Sequence, residues 1–388
     1  MTSFRLSYFG LIVFFSFIIL LLISRVLFPF ADEPDWIARA PLVLFGDHSL
    51  WSPYYIFSNF LNQLNIENSV CQPVAGALSF WAEISSSCTE SLEEIIIRFS
   101  VTLFVILPIL FIIIFRNFFI LLMNLVNLRL SKEEWNYRID SLALTIIFPG
   151  ILYYLGVLAE EQFFLVVSLY IFLFWGFWLP ISLLLMVLST IDFGNTVVVL
   201  FFILSVMFFS KIRNYNRKLF FSFFLFFLFL AYFIGFRFLE LFSQISFLGG
   251  SFSSKSDAIY QVLNDSDLVE KYPVILRPII TLMSFIFMTP SGVKVPVLYV
   301  AIFILIFTLT LKVFRGKNKL LDVYWFVPFF STIFFVFLFP NYANAKYYVF
   351  VMPFLVYASL NYYSRNVVFV FFVASTLLVF FHLILYRF

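Results

Sequence analysis

Three carboxylates within four positions, Asp32, Glu33 and Asp35 in the string Asp32-Glu33-Pro34-Asp35-Trp36, are the residues of this chain best placed to do chemistry. They follow the first long apolar run, Leu11 to Phe30, and open the longest polar stretch of the sequence. At a membrane surface, burial and neighbouring charge tune a carboxylate's pKa, which is what a general base requires. Pro34 stops the preceding helix from continuing. Trp36 suits either the interface or a stack against a sugar ring. Acidic residues also end spans with no further role, but three in four positions exceed that need. A second acidic turn, Glu160-Glu161-Gln162, lies between two apolar runs and reads equally as a solvated turn or as a site. Asp192, ahead of Gly194 and Asn195, reads as a cap rather than a reacting group.

The cations of interest are Arg237 and Arg277, which flank a second polar stretch with Lys255 and Lys271, and Lys346 in the turn Asn341 to Tyr348, which also holds Tyr342. An arginine inside an apolar run, as Arg277 is, needs an anionic partner. Glu240, Asp257, Asp265 or Glu270 could supply it, as could a lipid headgroup or a phosphate held by the bidentate guanidinium. The only histidines are His48 and His382, and no His/Cys cluster has metal-ligand spacing. No Gly-rich phosphate loop and no Ser-His-Asp pattern is present. Neither a metal nor a cofactor is therefore expected.

The elements that must carry these residues are membrane helices. The 388 residues are 63% hydrophobic and 12% charged, with a mean hydropathy of +1.05, too much apolar surface for a soluble domain to hide. Phenylalanine, at 61 residues, reads as apolar filler at lipid-facing positions. Alternating ten-residue segments of a membrane β-barrel are absent. The fold class is an all-α polytopic membrane protein. About eleven spans fall near 8–28, 99–122, 141–158, 162–177, 179–191, 196–210, 219–236, 295–312, 321–340, 349–362 and 367–385, several shorter than the ~20 residues a straight crossing needs. The first is no cleavable signal peptide, because Arg25-Val26-Leu27-Phe28-Pro29-Phe30 lacks small residues at a cleavage site.

Charge orients the spans. The breaks around Arg129 to Arg138, Lys211 to Lys218 and Lys312 to Lys319, with Arg5 and Arg365, hold 13 of the 24 Lys/Arg and, counting Asp140 and Asp322 at their edges, 4 of the 21 Asp/Glu. By the positive-inside rule that side is cytoplasmic, and so is the N-terminus. Two loops on the opposite, periplasmic side are long, 31–98 and 237–294, within a single membrane domain, 1–388. Tyr272 to Pro290 reads as a re-entrant or interfacial helix led by Arg277-Pro278. Cys71 and Cys88 share the first loop, where an oxidising periplasm suits a disulfide; two separate thiols are the other reading. The net charge of +3 carries no indication of a nucleic-acid partner.

An acidic pair just past the first helix, followed by short helix hairpins, resembles the GT-C membrane glycosyltransferases. That resemblance makes Asp32 or Glu33 the catalytic base and Glu160-Glu161 a second acidic site. The stretch Arg277-Pro278…Met288-Thr289-Pro290, and the polar turn Asn341 to Lys346 before a helix containing Pro353, look like O-antigen and capsule repeat-unit polymerases. The resemblance is architectural over most of the chain, and in sequence it covers only short strings. An Arg-x10-Gly motif is missing, and the essential His of related ligases has no counterpart. What it implies is a metal-independent transferase at the periplasmic face of a bacterial inner membrane, polymerising undecaprenyl-diphosphate-linked oligosaccharide. Asp35, Trp36, Glu160, Glu161 and Tyr342 would contact substrate. Arg237, Arg277 and Lys346 would hold the phosphate of the lipid donor. Membrane lipid and a chain-length regulator protein are implied partners. A transferase adding single sugars to O-antigen from a polyprenyl-phosphate donor shares this architecture. A flippase of lipid-linked saccharides is the reading from another class, but internal repeats and mid-span charges, its usual marks, are missing.

Overall fold

The computed structural model describes residues 6–27, 33–41, 52–64, 92–128, 130–244, 277–278, 281, 296–316, 318–338 and 347–387. Among them every regular element is a helix. In chain order these are α1 (Tyr8–Leu27), α2 (Glu33–Arg39), a 3-10 turn (Pro53–Phe57) leading into α3 (Ser58–Leu61), α4 (Leu92–Ile114) and α5 (Arg116–Leu125). Then come α6 (Lys132–Thr145), α7 (Pro149–Leu155), α8 (Glu160–Leu173), α9 (Trp178–Ile191), α10 (Phe193–Tyr215) and α11 (Arg217–Gln244). The last are α12 (Pro296–Arg315), α13 (Lys319–Leu338), a 3-10 turn (Val349–Val351), α14 (Met352–Leu360) and α15 (Arg365–Arg387).

Each of the eleven apolar runs coincides with helix, but eleven crossings are not confirmed. Among the described residues, four are long and apolar enough to cross a membrane: α1, α4, α10 and α13. A fifth crossing results if α6 and α7, bent by 78° at a short break, are one broken span. Helices α8 and α9 have 14 residues each and α14 has 9. Fourteen residues reach only ~21 Å, short of the ~30 Å hydrocarbon core. The expected single span over 99–122 is also two helices, α4 and α5, parted at Phe115.

Local chemistry explains the boundaries. Pro149 opens α7, where its missing N–H is no loss, and the break it makes leaves carbonyls open. Thr376 of α15 donates its hydroxyl to one of them, Ile147 O, at 2.9 Å. Ser131 caps α6 by accepting from the Glu134 N–H at 3.1 Å. Helix α5 ends on Asn127, at φ 61°, with Leu128 N–H on Met123 O and Asn127 N–H on Asn124 O, a complete Schellman closure. Asp192 is a cap, but of a helix start: Gly194 and Asn195, which suit a helix-ending turn, lie in the first turn of α10, and Asp192 accepts from the Asn195 N–H at 3.0 Å.

The chain forms two compact units, Met1–Val197 with Met352–Phe388, and Val198–Val351. In the first, α1 packs along α4, α6 against α14, and α8 against both α7 and α9. Gly10 lets α1 and α4 touch, because a Cβ there would lie 2.5 Å from Ile113 O. In the second unit, α13 packs on α11 and α12. Phenylalanine is more than filler where α10 meets α13. Phe201 meets Phe334 at 4.8 Å and Phe209 meets Phe330 at 4.7 Å between ring centroids, within the range where ring pairs add to simple burial. Other rings, Phe226, Phe229 and Phe233 of α11 among them, face outward, as lipid-facing positions of a bilayer protein do.

Candidate functional site

The first unit gathers a polar cluster where α1 ends. Glu33 opens α2 and is 1% exposed. Arg25, in the last turn of α1, gives Nη2 to both of its carboxylate oxygens, at 3.1 and 3.0 Å. Arg98 of α4 brings Nη1 to 3.6 Å from Oε2. The Leu158 N–H, in the link between α7 and α8, donates to Oε1 at 3.3 Å. Glu33 therefore ties together the end of α1, the start of α4 and the turn before α8. Arg25 keeps Nε and Nη1 buried with no hydrogen-bond acceptor among the described residues.

The same turn is held from the first loop. Ser52 and Pro53 start a 3-10 turn that buries Tyr54 completely. The Tyr54 hydroxyl lies 2.8 Å from Gln162 Oε1 and 3.1 Å from Ala159 O, and can donate to one at a time. Gln162 donates Nε2 to Leu155 O at 2.8 Å and reaches Thr102 of α4 at 3.4 Å. Burial pushes the Tyr54 phenol well above its usual range, and the charges of Glu33 and Glu161 push it further. Glu161 is 1% exposed and Glu160 is partly exposed, both in the first turn of α8, where the helix dipole favours negative charge. The two acidic strings that the sequence separates by more than a hundred residues thus share one cluster.

The remaining candidates divide as follows. Trp36 is buried, with the Arg39 guanidinium 5.3 Å over its ring. Asp35 lies on α2, although only its backbone is described. Arg237 lies on α11, likewise by backbone alone, and Arg277 is buried in a short helical piece where Thr281 donates its hydroxyl to Arg277 O at 3.0 Å. Both belong to the second unit. Asp32, Tyr342, Lys346, Cys71 and Cys88 lie outside the described residues. No three His, Cys, Asp or Glu side chains gather as metal ligands would, among the described residues.

Arg25, Arg98, Tyr54 and Thr102 are the members that sequence reasoning did not single out as site residues, and Gln162 entered only as part of the acidic turn. Arg25 had a signal. It sits within the first apolar run on the side assigned to the periplasm, so the argument applied to Arg277 applied to it equally.

Comparison with protein-family models, curated proteins and solved structures finds no match for this chain. Fold and site together define a class, an all-helical protein whose described residues include four to five helices able to cross a membrane, with a buried acid–arginine–tyrosine cluster at the end of the first.

Proposed function

We propose that the chain is a membrane glycosyltransferase that moves a saccharide from a polyprenyl-diphosphate carrier to an acceptor sugar, building polysaccharide from repeat units at the periplasmic face of a bacterial inner membrane. One observation carries the reading: the acidic string after α1 and the acidic first turn of α8 converge on a single cluster through Glu33, Leu158 and Tyr54. That convergence is what a two-acid sugar site on the outer side of short membrane helices requires.

The surroundings of Glu33 support a division of work between the two leading acids. A general base needs an open lone pair within reach of the hydroxyl it deprotonates. Glu33 spends its oxygens on Arg25, Arg98 and the Leu158 N–H. Asp32, its neighbour, is the base in this reading, and Glu33 positions it. The Asp32 carboxylate takes the proton of the acceptor hydroxyl, whose oxygen bonds to the donor's anomeric carbon. The bond from that carbon to the phosphate oxygen breaks, and the polyprenyl diphosphate leaves. Arg25 offers the Nε–H and Nη1–H that no described group accepts, and these neutralise charge on the departing phosphate.

The test supplies membranes containing the full chain with undecaprenyl-diphosphate-linked oligosaccharide and sizes the product on a gel. A ladder supports the polymerase. A single addition from a polyprenyl-phosphate sugar makes the chain a modifying transferase of the same class. Transbilayer movement of intact lipid-linked saccharide, with no new bond, overturns the reading in favour of a transporter. Asp32→Asn lowers turnover ~10²-fold or more with an unchanged unfolding temperature, as loss of a general base does. Normal turnover in that variant removes Asp32 from the mechanism.

A further inference from the structure

The second unit carries a feature that the glycosyltransferase reading does not use. Two turns, α10 to α11 and α12 to α13, are drawn together by one acid. Asp322, fully buried, holds Arg213 through Oδ2 and Arg217 through Oδ1, the latter at 2.9 Å. Arg217 also donates to Val313 O at 3.1 Å, and Lys319 Nζ donates to Asn214 O at 3.2 Å. Segments 211–219 and 311–322, of which Lys317 lies outside the described residues, are therefore held together by these contacts. Together they contain Lys211, Arg213, Arg217, Lys218, Lys312, Arg315, Lys317 and Lys319, against Asp322 alone, a net charge of +7. Asp322 is used up by its two arginines. Lys211, Lys218, Arg315 and Lys319 are exposed.

The apolar side chains at the same level identify the surroundings. Tyr215 is 86% exposed and Phe314 54%, with Leu219 and Leu320 also outward. Arg217 lies 5.3 Å over the Phe314 ring, so a cation and an exposed aromatic share one spot. Exposed aromatic and aliphatic groups interleaved with lysines suit the headgroup level of a bilayer, where the apolar parts enter lipid and the ammonium groups stay among headgroups. A nucleic acid or an acidic protein domain that paired with the cations alone would leave these exposed apolar groups against water.

We propose that this end of the second unit is a binding surface for anionic phospholipid, with two or more phosphate headgroups lying against Lys211, Lys218, Arg315 and Lys319 in the leaflet it faces. The Asp322 clamp sets the spacing of the cations and leaves them unneutralised. Each basic side chain held near an anionic leaflet contributes about fivefold to partitioning, and the attraction weakens as salt shortens the screening length.

The full chain is reconstituted into vesicles of equimolar phosphatidylcholine and phosphatidylglycerol and extracted in mild non-ionic detergent. The co-purifying lipid is then quantified by mass spectrometry. Wild type retains phosphatidylglycerol over phosphatidylcholine, and extraction at high salt reduces the excess. The triple variant Lys211→Gln, Lys218→Gln, Arg315→Gln loses the excess, by about fivefold per cation until the bulk ratio is reached. The variant Lys211→Arg, Lys218→Arg, Arg315→Lys keeps it. None of these changes touches the Asp322 clamp, so unfolding temperature should stay constant and serves as the control for folding. Equal lipid ratios in wild type and the glutamine variant overturn the proposal, as does equal loss in the charge-keeping variant. Release of the bound phosphatidylglycerol by inorganic phosphate at constant ionic strength also overturns it, because the site is then one for free phosphate.

Discussion

Replacing Glu33 by Gln keeps the size of the side chain and an oxygen for the Leu158 N–H, but removes a carboxylate that two buried guanidinia share. Arg25 and Arg98 have side chains 2% and 9% exposed, and Arg25 already has two nitrogens without an acceptor. Removing one partner from a buried ionic group costs about 3–5 kcal/mol, because a desolvated charge is left uncompensated. For a cooperative unit of this size, roughly 2–4 °C of unfolding temperature corresponds to each kcal/mol. Glu33→Gln should therefore lower the unfolding temperature in detergent by roughly 6–20 °C. Tryptophan fluorescence of the purified chain reads the change, and the double variant Glu33→Gln, Arg98→Gln recovers part of it, since the two residues are coupled. The division between a positioning Glu33 and a catalytic Asp32 predicts the opposite pattern for Asp32→Asn, with stability kept and turnover lost. A Glu33→Gln chain that melts with wild type and yet makes no product would refute the reasoning and return Glu33 to the role of base.

Three further outcomes follow from geometry. Gly10→Ala pushes a methyl against the Ile113 carbonyl and should destabilise by about 1–3 kcal/mol, whereas Gly194→Ala, with ordinary contacts in the first turn of α10, should be neutral or mildly stabilising in the same thermal assay. Asp192→Ala removes the acceptor for the Asn195 N–H and should cost about 1 kcal/mol, with Asp192→Ser recovering most of it. The folded state favours the neutral Tyr54 phenol, so its contribution is complete below the ordinary tyrosine pKa of about 10 and is lost as pH rises above it. Unfolding temperature measured from about pH 9 to pH 11 should fall less steeply in Tyr54→Phe than in wild type.

The positions of the helices were legible because apolar runs and polar breaks are local. The run read as 179–191 is Trp178–Ile191, and the first, 8–28, is Tyr8–Leu27. The internal end of α6 was not legible. Its sequence, Lys132 to Thr145, is charged enough to pass for a cytoplasmic loop, yet Trp135 and Arg138 are buried. Arg138 gives Nη1 to Leu173 O and Trp175 O, the open carbonyls at the end of α8, and Nε to Glu134, which accepts from Tyr357 of α14. A charge satisfied by the terminus of a distant helix leaves no periodic trace. The site divides in the same way. Glu33 and the Glu160-Glu161 turn were readable as acidic clusters, while Tyr54 and Gln162, 108 positions apart, are joined only by the packing of the first loop onto α8.

Among the described residues one carboxylate between two guanidinia occurs three times: Glu33 between Arg25 and Arg98, Asp140 between Arg116 and Arg365, and Asp322 between Arg213 and Arg217. Each joins helices that the chain separates, and each keeps one net positive charge. An apolar protein has few other ways to fix helix ends, because the hydrophobic effect does not sort one lipid-facing helix from another. The three should not be equally costly to break. Asp322 and Glu33 have side chains 0% and 1% exposed, whereas Asp140 is 14% exposed and its partner Arg365 is 47% exposed and also rests 4.8 Å over the Phe9 ring. Water can take over a half-exposed guanidinium, so an orphaned Arg365 is tolerable and an orphaned Arg213 is not. Asp140→Asn strands one buried guanidinium, Arg116, whereas Asp322→Asn and Glu33→Gln remove carboxylates that are themselves buried, so the amide variants should lower unfolding temperature more at Asp322 and Glu33 than at Asp140. If Asp140→Asn proves as damaging as the other two, burial does not set the strength of these ties, and the stability argument for Glu33 falls with it.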